Sequence, residues 1–527
     1  SGLRWPRSTG DEVGVELPRA GRVAARAAQA APGVLVGVTA ALVYAWRVWV
    51  PSPWGDEAET LEVSRRSLSQ MLAVTRHVDL VHLAFYLIAH LVLRVHDSVT
   101  SVRAVSVLAM AGAAALLVPV GRRLGGTATG VLAGCLLVVN PLASRWAQEA
   151  RPYACVVFVA VLSTLMLLRA CDRPERTSRW VGYGLTLVLL CLFNVLALLL
   201  VAAHAAFLLA TRRRTREWLI TSSAAGVSCL PFVAATAGQR GQVSWLVRPH
   251  LYDLTSLYIL AFASKAGLLV VAAVAATLCL AVVRHRGLPP GPGWSLLALG
   301  SAWALLPPLL LWGVSYIRPL FDLHWVLFTL PGLALMLASA SQLLVGAVIG
   351  RRRASGRPHP VNRPDRVPGR STLGAVSTGA LVVALVALVG LPAQQDYRRP
   401  DGHGEDLRGV VTYLAAAGRS GDVVLFTPYR LRVVATIYPG RTNALQDVAL
   451  GAGPIATATI SGEDVGPDAL ITRLSGHRRV WLVRATFPTQ RLAHSDADAV
   501  KLDLPRFGYQ LTRHRSFAGA DVDLYQS

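Results

Sequence analysis

Between residues 33 and 392 the chain is a succession of apolar runs, each close to the length of a bilayer-crossing helix and each closed by a short polar loop. A helix needs roughly 20 apolar residues to cross hydrocarbon, and in lipid only helices and closed barrels satisfy their backbone polar groups internally. With 53% hydrophobic and only 16% charged residues, the chain is too apolar for a soluble enzyme. We place spans at about 33–50, 101–121, 126–143, 152–170, 180–195, 196–211, 217–236, 267–284, 294–313, 324–349 and 372–392, eleven in all. The expected class is therefore a polytopic α-helical membrane protein. Its expected parts are a basic tail at 1–30, a membrane domain at 31–392 and a small α/β domain at 393–527.

The formal charge of +22 could suggest nucleic acid, but the arginines gather in short loops between apolar runs rather than along one face. Arg122 and Arg123, the stretch Arg169–Arg179, Arg212–Arg216, Arg284 with Arg286, and Arg351–Arg370 fall in alternate loops. Arginine-rich loops stay cytoplasmic. The N-terminus is then inside, and the segments 51–100, 144–151, 237–266, 314–323 and everything after 393 face out. Splitting 180–211 near Asn194 keeps the basic 212–216 loop inside. The expected location is a multi-pass protein of the cell membrane with its chemistry extracytoplasmic. The six cysteines all lie in or beside apolar runs without metal-ligand spacing and read as small packing residues.

Polar chemistry concentrates in three outer segments. The first is Pro51-Ser-Pro-Trp-Gly-Asp-Glu-Ala-Glu-Thr60, with Asp56 and Glu57 at its centre. Carboxylates beside hydrocarbon are costly and mark functional sites, although a solvated loop or helix cap would have the same composition. It continues into two amphipathic stretches, 59–75 and 80–95, that suit helices lying in the membrane interface, the second carrying His82 just after Asp79. His82 reads equally as a structural hydrogen-bonding residue or as a ligand to substrate or metal. The second segment is Ser144-Arg-Trp-Ala-Gln-Glu-Ala-Arg-Pro-Tyr153, where Glu149 and Arg151 are either an ion pair at a span boundary or a second acid beside a phosphate-binding cation. The third, Tyr316-Ile-Arg-Pro-Leu-Phe-Asp-Leu-His-Trp325, offers Arg318 and His324. The loop at 237–266, with Trp245 and Tyr252, reads as an interfacial anchor rather than a flap.

Gly55-Asp-Glu-Ala58, His82-Leu-Ala-Phe-Tyr86 and Gln148-Glu-Ala-Arg-Pro-Tyr153, set in eleven spans with an outer C-terminal domain, resemble the GT-C membrane glycosyltransferases. The branch is that of the protein O-mannosyltransferases and the lipid A aminoarabinose transferase, and the resemblance covers about residues 30–350. It implies an inverting transfer of one sugar, mannose favoured, from a polyprenyl-phosphate donor to an acceptor hydroxyl on a protein, glycolipid or polysaccharide. By position Asp56 resembles the catalytic base, Glu57 its neighbour and Glu149 the second acid. Arg151 and Tyr153 fall near the donor phosphate, joined by Arg318 and by His324, which stands where relatives carry arginine. The physical logic agrees. An attacking hydroxyl needs a proton acceptor, whereas a phosphate leaving group needs only positive charge.

No cofactor is demanded, yet Asp56, Glu57, Glu149 and His82 could also ligate a divalent metal ion. A transporter or flippase of a lipid-linked sugar would instead show broken helices in two related halves, and no such repeat is visible. A scaffold anchored by this domain would not need eleven spans. After 393, a helix within 404–414, strands at 422–426 and 479–483 and a helix at 489–500 make up the α/β domain, which reads as a cap or acceptor-recruiting module.

Overall fold

A computed structural model describes residues 19–213, 215–273, 292–354, 369–486 and 495–527. Helices form most of the membrane part: α1 Arg19–Ala45, α5 Val99–Gly125, α6 Thr127–Val139, α7 Pro141–Ala147, α8 Tyr153–Asp172, α9 Thr177–Phe193, α10 Leu200–Ala210, α11 Arg216–Gly238, α12 Leu251–Ala261, α13 Lys265–Ala273, α14 Pro292–Val314, α15 Leu330–Ala354 and α16 Gly369–Asp396. Among the described residues seven helices are long and apolar enough to cross a membrane, and nine if each bent pair, α6 with α7 and α12 with α13, is one span. The protein is thus a multi-pass membrane protein. Helices α9 and α10 are shorter than a full span and break at Asn194, whose side chain accepts the Leu196 N–H at 2.9 Å. The expected division near Asn194 is therefore a break in the helix. The eleven expected runs exceed the seven to nine long spans because those at 180–195 and 196–211 are short helices. The run at 267–284 lies partly outside the described residues.

The centre of the bundle is α5, packed by α1, α6 and α8. Without a hydrophobic drive between helices in lipid, close backbone approach holds such pairs. Gly130 of α6 supplies it, since a Cβ there would overlap the Val118 carbonyl of α5.

Between α1 and α5 the chain folds as α2 Gly55–Arg65, α3 Leu68–Thr75, a 3-10 turn Leu80–His82 and α4 Leu83–Val95, close to the two interfacial stretches expected. Asp56 and Glu57 stand in the first turn of α2, where carboxylates complement the helix dipole. Ser67 caps α3 in a capping box with Gln70. The start of the expected 237–266 loop rests on this region, for Gln239 accepts the Leu80 N–H at 2.9 Å and donates to the Thr75 carbonyl at 2.7 Å, whereas its second half is helix α12.

The C-terminal domain is a five-stranded sheet, β1 Val423–Thr427, β2 Gln446–Asp447, β3 Arg479–Ala485, β4 Gln510–Phe517 and β5 Ala520–Gln526, in the order β2-β1-β3-β5-β4. The β1–β2 and β1–β3 pairs are parallel, while β3–β5 and β4–β5 are antiparallel. Strand β1 is buried along its whole length, as a continuous apolar run requires. On one side lie Val411 and Leu414 of α17 Leu407–Ala417, and on the other Leu470 and Leu474 of α18 Pro467–Leu474. Helix α19 Asp498–Leu502 overlaps only the last three residues of the helix expected at 489–500 and runs two residues past it, while 489–494 lie outside the described residues.

The domain is fastened directly to the segment that leads into α2. Arg408 donates to the carbonyls of Trp49 at 3.1 Å, Val50 at 3.2 Å and Pro51 at 3.0 Å. The Ser52 N–H donates to the Pro400 carbonyl at 2.7 Å, and Glu405 accepts the Gly55 N–H at 2.9 Å.

Candidate active site

Helix α2 turns its acids in different directions, so the expected site residues fall into two groups. One group is open. Asp56, with a third of its side chain exposed, lies 3.1 Å from the Nη2 of Arg151, whose own side chain is nearly enclosed. Arg151 comes from the turn between α7 and α8, and its carbonyl accepts the Ser106 hydroxyl of α5 at 3.2 Å. The same Nη2 donates to His82 Nε2 at 3.1 Å, while Nη1 reaches the Thr60 hydroxyl at 3.4 Å. A guanidinium can only donate, so His82 accepts at Nε2 and carries its proton on Nδ1. That Nδ1 is buried without a hydrogen-bond partner among the described residues. Burial, and then the charge of Arg151, push the His82 imidazole down to about 3, so it is neutral at physiological pH. Asp79 and Tyr86 complete this wall, the Tyr86 hydroxyl donating to Asp79 at 2.9 Å.

Beside Arg151 stands an aromatic group. Tyr153 packs edge-on to Trp146 with ring centroids 4.9 Å apart, and His324 lies 4.9 Å from Tyr153 and 5.5 Å from Trp146. His324 pairs with Asp322 at 2.7 Å, and burial notwithstanding, that contact holds the Asp322 carboxyl below its ordinary range. The third sequence segment therefore reaches the site through His324. Arg318 is exposed on the turn after α14.

The second group is closed. Neither the Glu57 nor the Glu149 side chain is exposed. Arg103 of α5 grips Glu57 through Nε at 2.8 Å and Nη2 at 2.5 Å, and the Ala150 N–H donates to it at 2.7 Å. Burial opposes the charge on Glu57, but Arg103 holds its carboxyl well below the usual range. Glu149 is paired with Arg145 one helical turn away and accepts the Trp54 indole N–H at 2.5 Å. His403 of the linker lies 3.6 Å from Glu149 and 3.9 Å from Glu57, and burial with the nearby Arg145 charge lowers its imidazole to about 3.

Glu57, Glu149 and His403 are spaced closely enough to hold a cation. The donor set does not fit one. Its two negative charges are already met by the guanidiniums of Arg103 and Arg145, and a divalent ion there would face both of them. The four residues first considered as a metal set, Asp56, Glu57, Glu149 and His82, are likewise divided between the two groups, with His82 Nε2 taken by Arg151.

Arg103, Arg145, His403 and Glu59 were not singled out in the sequence. Arg103 carried a usable signal, being an ionisable residue near the start of an otherwise apolar span. Glu59 stands one turn beyond Asp56, half-buried; burial raises its carboxyl to about 7, Arg430 of the C-terminal domain opposing and Asp79 and Asp56 adding to the rise.

Residues 82–237 match the model of the family described as dolichyl-phosphate-mannose-protein mannosyltransferase. No curated protein matches the chain. The fold is similar to that of ArnT from Cupriavidus metallidurans in the apo state, at a TM-score of 0.55 and 13% identity over 93% of this chain and 97% of that one. The same protein bound to undecaprenyl phosphate gives 0.53 and 12% over the same shares. The chain is a membrane glycosyltransferase of the GT-C fold. The family match spans His82, Glu149, Arg151 and Tyr153, and begins after Asp56 and Glu57.

Proposed function

We propose that this glycosyltransferase moves a single sugar, mannose favoured, from a polyprenyl-phosphate donor to an acceptor hydroxyl with inversion at the anomeric carbon. The observation that carries the reading is the 3.1 Å pairing of Asp56, the open acid, with Arg151, the cation of the same wall. Asp56 is the general base. It takes the proton of the acceptor hydroxyl as that oxygen bonds to the anomeric carbon, while the carbon–oxygen bond to phosphate breaks. The leaving polyprenyl phosphate gains one negative charge, and Arg151 stands where that charge grows. His82, neutral and donating from Nδ1, adds a hydrogen bond to the donor. Tyr153, Trp146 and His324 form the aromatic wall beside the phosphate. Glu57 and Glu149, sealed against arginines, act as positioning residues that fix the start of α2 and the α7–α8 turn. No metal is used in this scheme, and Arg318 is left out of the phosphate site.

The donor class is supported by two things: the matched family is described by a dolichyl-phosphate-mannose donor, and the fold is similar to that of ArnT, described bound to undecaprenyl phosphate. Orientation is supported by the helices themselves. The site sits where α5 and α8 begin, and Arg122, Arg123 and Arg169 mark their opposite ends. Cytoplasmic arginines then put the chemistry on the outer face of the cell membrane.

The test is transfer of radiolabelled sugar from polyprenyl-phosphate donors into endogenous acceptors by membranes containing the full chain. Removing a general base typically costs 10²–10⁴-fold, so Asp56→Asn is expected to lose about 100-fold or more at unchanged protein level. Equal transfer by Asp56→Asn would rule Asp56 out as the base.

A further inference from the structure

The side of α2 that carries the base continues into a groove. Asp56, Glu59 and Glu62 recur every three residues and so advance along one side of the helix. Asp56 ends the row at Arg151. At the other end Glu62 and Arg65 form one wall of an open cavity of about 560 Å³, whose far wall belongs to the C-terminal domain through Thr436, Pro439, Thr442 and Asn443. That volume is within the range of ligand sites.

The lining is the second point. Carboxylate, guanidinium, two hydroxyls and an amide face this space, with Pro439 and the small apolar edge of Ala435 and Leu445 between them. Glu62 is paired with Arg66, Arg65 with Asp97, and the Thr436 hydroxyl donates to the Val433 carbonyl, so it is the Thr442 hydroxyl and the Asn443 amide that a prenyl chain or an apolar peptide would leave without hydrogen bonds. A ligand rich in hydroxyls answers donors and acceptors alike.

Glu59 stands between the two ends. Asp56 is paired with Arg151, Glu57 with Arg103 and Glu62 with Arg66, whereas Glu59 makes no hydrogen bond or ion pair among the described residues. The charges acting on it are Arg430, Asp79, Asp56 and Arg151. Arg430 belongs to the 3-10 segment Tyr429–Thr436, which packs on α2 and whose last residue lines the groove. One carboxylate is therefore left without a protein partner, one turn along α2 from the Glu62 that lines the cavity.

We infer that the acceptor is a saccharide chain lying in the groove between α2 and the C-terminal domain, with Glu59 as the positioning residue that holds its reacting end toward Asp56. This rests on the transferase reading above. It narrows the three acceptor classes open from the sequence to one.

The experiment uses membranes containing the full chain, a radiolabelled polyprenyl-phosphate sugar and, as acceptor probe, a delipidated, protease-digested carbohydrate extract of the source cells. Donor hydrolysis to free sugar is recorded alongside transfer. Asn443 is exposed, so Asn443→Trp fills the groove without touching the core. It is expected to lower the ratio of transfer to hydrolysis about tenfold. Glu59→Gln is expected to raise the extract concentration for half-saturation about tenfold with a smaller change in the limiting rate, and Glu59→Asp to recover part of it; a merely structural Glu59 would change protein level rather than this split. In wild-type membranes the label should be protease-resistant and move with the carbohydrate fraction. Label in protein or in extractable lipid overturns the inference, as does an unchanged ratio in Asn443→Trp. Neither outcome touches the transferase reading while the donor is still turned over. If wild-type membranes neither transfer sugar nor hydrolyse any donor, both fall together.

Discussion

Arg103 reaches both oxygens of Glu57, at 2.8 and 2.5 Å, with neither side chain exposed to solvent. The remaining donors of the same guanidinium satisfy the carbonyls of Val48 at 2.9 Å, Pro51 at 2.9 Å and Ser52 at 3.3 Å. One side chain of α5 thus holds both the approach to α2 and its first turn. Removing one partner of a buried ion pair leaves the other charge uncompensated and typically costs about 3–5 kcal/mol. Arg103→Leu and Glu57→Gln should each lower the thermal midpoint in detergent and the level of folded protein. The double replacement should be less damaging than the sum of the two.

Arg151 donates to Asp56 and His82 from one nitrogen and to Thr60 from another. Lysine keeps the charge but lacks the planar fork, so it cannot hold all three. Arg151→Lys is expected to retain folding and lose about 10–100-fold in transfer rate, with a weaker half-saturation for the donor. Steady-state kinetics over donor concentration check this.

Glu405 links stability to pH. Burial raises its carboxyl to about 7, the Gly55 N–H opposing and the Asp56 and Glu57 charges adding to the rise. The folded value lies above that of the unfolded chain, so ionisation disfavours the folded state. Stability from this group is lost as pH rises from the ordinary carboxylate range through about 7. Glu405→Gln can still accept the Gly55 N–H. Its thermal midpoint should exceed that of the wild type at about pH 8 and match it near pH 5.

Chelation probes the buried group. With Arg103 and Arg145 already matching Glu57 and Glu149, this cluster should bind no divalent ion. EDTA is expected to leave the thermal midpoint unchanged, and added zinc or manganese should not raise it. A rise of several degrees on adding either ion would contradict the charge argument.

The membrane character, the helical organisation and the three polar segments were legible because apolar runs and arginine-rich loops report directly on lipid. The segments do converge, since Asp56, His82, Arg151, Tyr153 and His324 line one region. What the sequence could not separate was Asp56 from Glu57. Adjacent residues on a helix point about 100° apart, and only the position of Arg103 decides which of them is sealed. His403 was hidden for a similar reason, because the linker brings it to Glu149 from more than 250 residues away. The β4–β5 hairpin went unread because β4, Gln-Leu-Thr-Arg-His-Arg-Ser-Phe, is an exposed edge strand with no alternation of apolar residues. The five described cysteines are free, in keeping with a packing role.

Arg408 grips the stretch before α2 from the side of the C-terminal domain, and Arg103 grips it from the side of the bundle. Asp56, the proposed base, consequently follows a strip clamped between two bodies, like a blade held at both ends. Neither body alone would hold it in register. A chimera joining this bundle to a foreign C-terminal domain should remain inserted in the membrane but be inactive unless the donor domain supplies the equivalent of Arg408 and Glu405. Exchange of parts within this architecture would therefore have to move the linker together with the sheet.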